Sequence, residues 1–355
     1  MPVSGAKIVS VVGARPQFIK AAAVSRALAK QPSLTEVIVH TGQHFDPDMS
    51  EIFFRELEIP EPTYHLGVHG GGHGIMTGRM LEAMEPVILD EQPDAVLVYG
   101  DTNSTLAGTL VAAKLQIPVA HVEAGLRSFN RAMPEELNRV LTDHLSDILF
   151  CPTRAAVANL AHEGITNGVH NVGDVMYDAT LHAAARARAE SKILKRLGLS
   201  EQDYVVATIH RAENTDNPQR LAETLDYVRA DAGGRTIVLP LHPRTRKATA
   251  GSGLSLAGFV VTEPLGYFDM HRLLQDAAVV YTDSGGLQKE AYFHRVPCIT
   301  LRGETEWVET IQHGWNRLWR GPDFLPRSDI DEFGDGHAAE KIATCLGEWV
   351  ARRAA

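Results

Sequence analysis

AVLVYGDTNSTLAGTLVAAKLQIPVAHVEAG, residues 95–125, decides how the rest of the chain is read. It opens on an apolar run, AVLVYGD (95–101), passes through STLAGTLVAAKLQ, and ends in a second run, PVAHVEAG (118–125). Both runs are nearly continuous rather than alternating, the pattern of parallel strands buried on both faces. The middle stretch has helical composition. Strand, helix, strand in this order is one unit of a doubly wound α/β fold.

The same grammar extends in both directions. KIVSVVG (7–13), EVIVHTG (36–42) and DILFCPT (147–153) read as further strands of one sheet. A second series follows: YVVATIH (204–210), TIVLPLH (236–242), FVVTEPL (259–265), AVVYTDSGG (278–286) and PCITLRG (297–303). The intervening residues 153–203 carry the Ala-rich charged helix ATLHAAARARAESKILKRLG. At 355 residues the chain exceeds one ordinary core. The expectation is two Rossmann-like domains, 1–171 and 172–337. The last helical segment, 338–355, could pack on either. Ligands of such sheets bind beyond the carboxyl ends of the strands, so two tandem domains would share a cleft there.

Composition narrows the function. Hydrophobic residues are 44% and charged residues 22%, a soluble balance, and the formal charge is −10. An acidic chain is a poor non-specific nucleic-acid binder, while a few basic residues in a cleft still suffice for an anionic small molecule. Cys151, Cys298 and Cys345 are far apart and form no C-x-x-C pair, which speaks against thiolate zinc and a disulfide framework and for a reducing cytoplasm. The stretch MPVSGAKIVSVVGARP lacks signal-peptide character, and no run approaches the roughly 18 apolar residues of a membrane span. No metal and no cofactor is expected. His69 and His73, in the Gly-rich loop HLGVHGGGHGIMTGRM (65–80), have no carboxylate or thiolate at ligand spacing. The helix after this loop is expected to begin near Thr77.

Two strand ends suit phosphate. In GARPQF, Gly13 permits a tight turn, Pro16 opens a helix, and Arg15 and Lys20 add charge; an ordinary strand-to-helix turn reads the same way. This is not G-x-G-x-x-G, so a dinucleotide is not supported. In DSGGLQKEA (283–291), Ser284, Gly285 and Gly286 let an oxygen approach the backbone at a helix N-terminus. Glu290, about a turn later, could accept from a ribose diol.

Acid–base candidates gather at other strand ends. Asp101 is either a helix cap or an acid. Glu123 is a charge at an apolar strand end, which needs a partner or a ligand, and Arg127 is a possible partner. Pro134 opens a helix with Glu135 and Glu136 in its first turn, and one of the two is helix chemistry; Arg139 could pair with Glu135. His210 ends the strand YVVATIH. Carboxylates crowded together raise one another's pKa values, and such a set suits proton transfer.

GARPQFIK, GDTNSTLAG, HVEAGLRS, MPEELNR, HRAEN and DSGGLQKE occur in the order and approximate spacing of the non-hydrolysing UDP-N-acetylglucosamine 2-epimerases. The chain resembles that family from residue 7 to about residue 303. The resemblance implies a GT-B-like fold with the site in the interdomain cleft and the C-terminal helix crossing back to the first domain. It implies C2 proton abstraction, elimination of UDP to a glycal, and re-addition. On matching positions, Asp101, Glu123 and Glu135 resemble the catalytic carboxylates and His210 the catalytic histidine. Arg15, Lys20, Arg139 and His242 look like the diphosphate- and sugar-binding set. Ser284, Gly285, Gly286 and Glu290 look like phosphate and ribose contacts, with Phe268, in EPLGYFDMH, near the uracil. A UDP-sugar and UDP are the expected partners, with a homodimer.

The first expectation for substrate is UDP-N-acetylglucosamine, in surface polysaccharide synthesis. Two segments point elsewhere. GGGHGIMTGRM and RSFNRAMPEELNR are similar to the branch acting on UDP-2,3-diacetamido-2,3-dideoxyglucuronic acid. TGQHFDPDM keeps Gln43 and His44 of the substrate-activated members, but HGGGHG stands where their basic residue would fall. The rival classes are a glycosyltransferase or hydrolytic epimerase on the same scaffold, which would release free UDP, and a non-catalytic nucleotide-sugar sensor, which would not need three carboxylates.

Overall fold

A computed structural model describes residues 5–43 and 56–354; His44 lies outside them. The chain divides into two compact units, Met1–Ala179 with Asp331–Ala355, and Thr180–Ile330.

The first unit holds β1 (Ala6–Val12), β2 (Leu34–His40), β3 (Tyr64–His65), β4 (Ala95–Tyr99), β5 (Val119–Val122), β6 (Ile148–Cys151) and β7 (Val169–Asn171). They form one sheet in the order β3-β2-β1-β4-β5-β6-β7, and every recorded pairing is parallel. All five residues of β4 are fully buried, as a strand covered by helices on both faces requires. One covering helix, Asn103–Lys114, starts at Thr102, whose side chain accepts from the Thr105 amide. Gly108 lets that helix sit on the sheet: a Cβ there would come within 3.1 Å of Val11 and 3.2 Å of Val98.

The second unit holds β8 (Tyr204–Thr208), β9 (Thr236–Pro240), β10 (Phe259–Thr262), β11 (Val280–Thr282), β12 (Cys298–Thr300) and β13 (Asn316–Leu318). Their order is β10-β9-β8-β11-β12-β13, again with parallel pairings. Val205, Ala207, Ile237 and Leu239 pack on one face and Tyr204, Val206 and Val238 on the other.

Three differences from the sequence reading have physical causes. The division between units falls within the helix Val175–Glu190, not at 171/172. Residues 172–179 stay with the first unit because the Asp174 amide donates to the Phe333 carbonyl and Asp178 accepts from the Ala338 and Ala339 amides. These bonds also bring residues 331–337 into that unit with the closing helix Ala338–Ala354. The helix expected near Thr77 begins four residues earlier, at His73, where the Met76 amide bonds the Gly72 carbonyl and the Thr77 hydroxyl bonds the His73 carbonyl. Among the described residues no helix is long and apolar enough to cross a membrane.

Candidate active site

In each sheet the strand order reverses once, between β1 and β4 and between β8 and β11. Ligands of open α/β sheets bind outside the carboxyl ends at such points. Arg15 and Asp101 follow the strands of the first reversal and His210 and Ser284 those of the second, while Glu123 follows β5, His242 follows β9 and Phe268 lies on the helix after the edge strand β10.

At the first reversal, Gln17 ties the two strand ends together. Its Oε1 accepts from the Gly13 and Ala14 amides at 2.9 and 3.0 Å, and its Nε2 donates to the Tyr99 carbonyl and Thr105 Oγ1, both at 3.0 Å. Arg15 begins the helix Arg15–Leu28, and Lys20, on its next turn, is buried. The Lys20 ammonium forms an ion pair with Glu123, just past β5. Glu123 adopts φ +71°, so the chain leaves the ladder there with its carboxylate turned toward Lys20. Arg127, the partner considered from spacing, instead binds Asp143 and Glu163. A small cavity beside this pair is lined by Lys20, Glu123, Phe150, Pro152 and Asp174.

Asp101, just past β4, pairs with Arg139 of the helix Pro134–Leu145. Arg139 also binds Glu136 at 2.8 Å, so its acidic partners are Asp101 and Glu136 rather than Glu135. Glu136 is buried and accepts from the Ser128 amide, the Ser128 hydroxyl and the Phe129 amide. Burial alone would push its carboxyl up, but these bonds and the Arg139 charge hold it below the usual carboxylate range. Glu135 is exposed on the same turn. Glu136 is thus the one that fixes the loop.

Behind both strand ends lies a buried ionic cluster. His121 of β5 faces Asp143 Oδ1 with Nδ1 at 2.7 Å and the Gly100 carbonyl with Nε2 at 2.8 Å. Asp143 Oδ2 accepts from the Gly125 amide at 3.0 Å and from Arg127 at 2.6 Å. Asp143 would be raised by burial, yet the His121 contact and the Arg127 charge keep it below its ordinary range. Arg127 completes a fork onto Glu163 at 2.7 and 2.8 Å.

At the second reversal, His210 follows β8 and Asp283 follows β11. The His210 Nδ1 lies 3.0 Å from Asp283 Oδ1, and Asp283 also accepts from the His210 and Arg211 amides and Asn214 Nδ2. Asp283 is fully buried; that burial would raise it, but His210 and these donors hold it down. The His242 ring stands 5.2 Å from that of His210, and its Nδ1 accepts from the Arg244 amide, which places its proton on Nε2. Ser284 caps the helix Gly285–Phe293 and Glu290 is buried on it. A Cβ on Gly285 would lie 2.3 Å from Glu306 Oε1, while one on Gly286 would meet nothing within 4 Å. Phe268 is buried with the Arg186 guanidinium 4.9 Å from its ring centre. Among the described residues no three His, Cys, Asp or Glu side chains gather as a metal site would need.

The model of the family described as UDP-N-acetylglucosamine 2-epimerase matches residues 26–324. The chain belongs to that family. Its members are isomerases. A UDP-2,3-diacetamido-2,3-dideoxy-D-glucuronate 2-epimerase of Pseudomonas aeruginosa is 52% identical, with 96% of this chain and 99% of that protein covered. A UDP-N-acetylglucosamine 2-epimerase of Methanocaldococcus jannaschii is 42% identical over 96% of this chain and 98% of the relative. The solved structure of the M. jannaschii enzyme in complex with UDP-GlcNAc and UDP superposes with a TM-score of 0.87 at 41% identity, covering 96% of this chain and 99% of that one.

Within this 2-epimerase, the first unit brings together Lys20, Asp101, Glu123 and Arg139, and the second brings together His210, His242 and the Ser284–Gly286 turn. Gln17, His121, Asp143 and Asp283 were not singled out in the sequence. Asp283 had a visible signal, an acid closing a strand directly before Ser-Gly-Gly. His121 had another, a polar ring inside an apolar strand.

Proposed function

We propose that the chain inverts carbon 2 of UDP-2,3-diacetamido-2,3-dideoxyglucuronic acid, without net hydrolysis. The observation that carries this reading is the 52% identity to the P. aeruginosa enzyme named for that substrate, along almost the whole chain. UDP-N-acetylglucosamine is the second reading, favoured by the M. jannaschii relative and its complex.

In the proposed reaction one carboxylate of the Asp101–Glu123 pair takes the C2 proton while the C1–O bond to UDP breaks, leaving a C1=C2 double bond. UDP oxygen then re-adds at C1, and the other carboxyl returns a proton to the opposite face of C2. Lys20 and Arg139 hold these carboxylates in place. Glu135 stands near the leaving oxygen. His210, oriented by Asp283, donates to the diphosphate, which Arg15, His242, Ser284, Gly285 and Gly286 also bind; Glu290 meets the ribose and Phe268 the uracil side. Well-placed acid–base groups contribute roughly 100- to 10,000-fold each. The protein works as a cytoplasmic homodimer supplying a surface polysaccharide precursor.

The test is proton NMR in D2O, without added metal, with each UDP-sugar in turn. Expected is the 2-epimer of the diacetamido uronate bearing deuterium at C2, with little free UDP and slower or no exchange for UDP-N-acetylglucosamine. The reverse preference selects the second reading. Stoichiometric free UDP rejects both.

A further inference from the structure

Both ring nitrogens of His121 face oxygens that only accept. One is the Asp143 carboxylate at 2.7 Å and the other the Gly100 carbonyl at 2.8 Å. A neutral imidazole carries one N–H and would leave one of these short contacts without a proton. Asp143 is itself committed as an acceptor, from the Gly125 amide and from Arg127. Two carboxylates, Asp143 and Glu163, face the Arg127 guanidinium, and Glu163 also meets the His144 ring at 3.1 Å.

The atoms it holds are those that aim the candidate acid–base groups. Gly100 immediately precedes Asp101 and adopts φ +61°. Its amide donates to the Val122 carbonyl, and its own carbonyl accepts from His121, so both backbone polar groups of this residue are pinned to β5. Gly125, at φ +79°, lies two residues past Glu123 and donates to Asp143. Its own carbonyl accepts from Asn159 Nδ2 at 2.9 Å.

We propose that His121 is a fixed imidazolium that positions both carboxylates, Asp101 through the Gly100 carbonyl and Glu123 through Asp143 and Gly125. It is a positioning residue and touches no substrate. The activity half of this inference rests on the reading of Asp101 and Glu123 as the acid–base pair; the protonation half does not.

Two measurements decide it. In the unaltered protein labelled with 15N-histidine, long-range 1H–15N spectra at neutral pH should show both His121 nitrogens protonated, whatever substrate the protein uses. Kinetics then separate the two contacts. His121→Gln places an amide donor near the Nε2 position and keeps the Gly100 bond; His121→Asn reaches only Asp143. With whichever UDP-sugar is turned over, kcat should fall about 10- to 100-fold in each variant, because each keeps only one of the two contacts, with KM unchanged in both. A purely structural role would lower melting temperature while leaving the kcat of the folded variants near normal. A neutral ring, or near-normal kcat in both folded variants, overturns the proposal. If neither variant folds, the spectra of the unaltered protein decide. If the unaltered protein turns over no UDP-sugar, the proposed reaction fails while the same spectra still decide the protonation.

Discussion

The Nδ1 of His210 points into a fully buried carboxylate, Asp283, at 3.0 Å. That contact fixes the proton on Nδ1 and leaves Nε2 as the nitrogen the proposed reaction would use. Asp283→Asn keeps the shape but can present an amide N–H to the ring and reverse the tautomer. Turnover should fall about 1,000-fold or more while the chain remains folded, by analogy with the orienting carboxylate of hydrolase triads. Near-normal kcat in a folded Asn variant would show that His210 does not depend on Asp283.

The Lys20–Glu123 pair leads to a prediction about stability as well as rate. The two side chains are only 9% and 12% exposed. Removing either partner leaves a charge in a poorly hydrated place, so Lys20→Met and Glu123→Gln should each cost about 3 kcal/mol in urea unfolding. The double variant should cost clearly less than the sum. Additive losses would mean that the pair is not coupled. Glu123→Gln should also lose at least about 100-fold in turnover, and near-normal turnover in the folded protein would remove Glu123 from the acid–base pair.

The central strands were legible because they are long Val- and Ile-rich runs, and their chain order follows from the helices between them. Three edge strands, β3, β7 and β13, were not, since YH, VHN and NRL carry no apolar run, whereas the equally short β11 and β12 lie within one. The expected runs also overshoot β4 and β5 at their carboxyl ends. Gly100, Asp101, Glu123 and Gly125 were included in those runs but leave the ladder, three of them at positive φ. Partnerships were the least legible part. Arg127 lies four residues from Glu123 and suits it by spacing, yet Lys20, 103 residues away in sequence, takes that carboxylate. Local spacing ranks only the partners that are near in sequence. Strand adjacency in the sheet brings in the others.

Glycine substitutions should separate fold from ligand contact. A Cβ on Gly13 would lie 1.9 Å from Thr41 Oγ1 and 2.3 Å from Ser104 Oγ, two buried hydroxyls. Gly13→Ala should destabilise by about 1–3 kcal/mol, read by thermal unfolding. Gly285→Ala meets the end of the Glu306 side chain, which can move aside. It should unfold near the wild-type temperature but weaken UDP binding, read by calorimetry. Unchanged UDP affinity would take the Gly285 turn out of the phosphate site.

Acid sensitivity should come partly from His40. Its ring lies 5.2 Å from that of Phe18, and burial, with a smaller contribution from His65, lowers its pKa to about 4. The folded protein therefore prefers the neutral ring. Stability from this group is complete above about pH 6.5 and is lost as pH falls toward 4, by up to about 3 kcal/mol. His294, lowered to about 4 by burial and then by Arg188, adds to the same window. His40→Phe, which cannot charge, should flatten the drop in melting temperature between pH 6.5 and 4. An unchanged slope would assign the sensitivity to other groups.

The taper of both sheets has a further consequence. The first sheet runs from a seven-residue centre at β1 and β2 to edges of two and three residues, and the second ends in strands of four and three. An edge that short offers too few open amides and carbonyls for another chain to zip onto. At high concentration the described edges of both sheets should resist sheet-to-sheet aggregation.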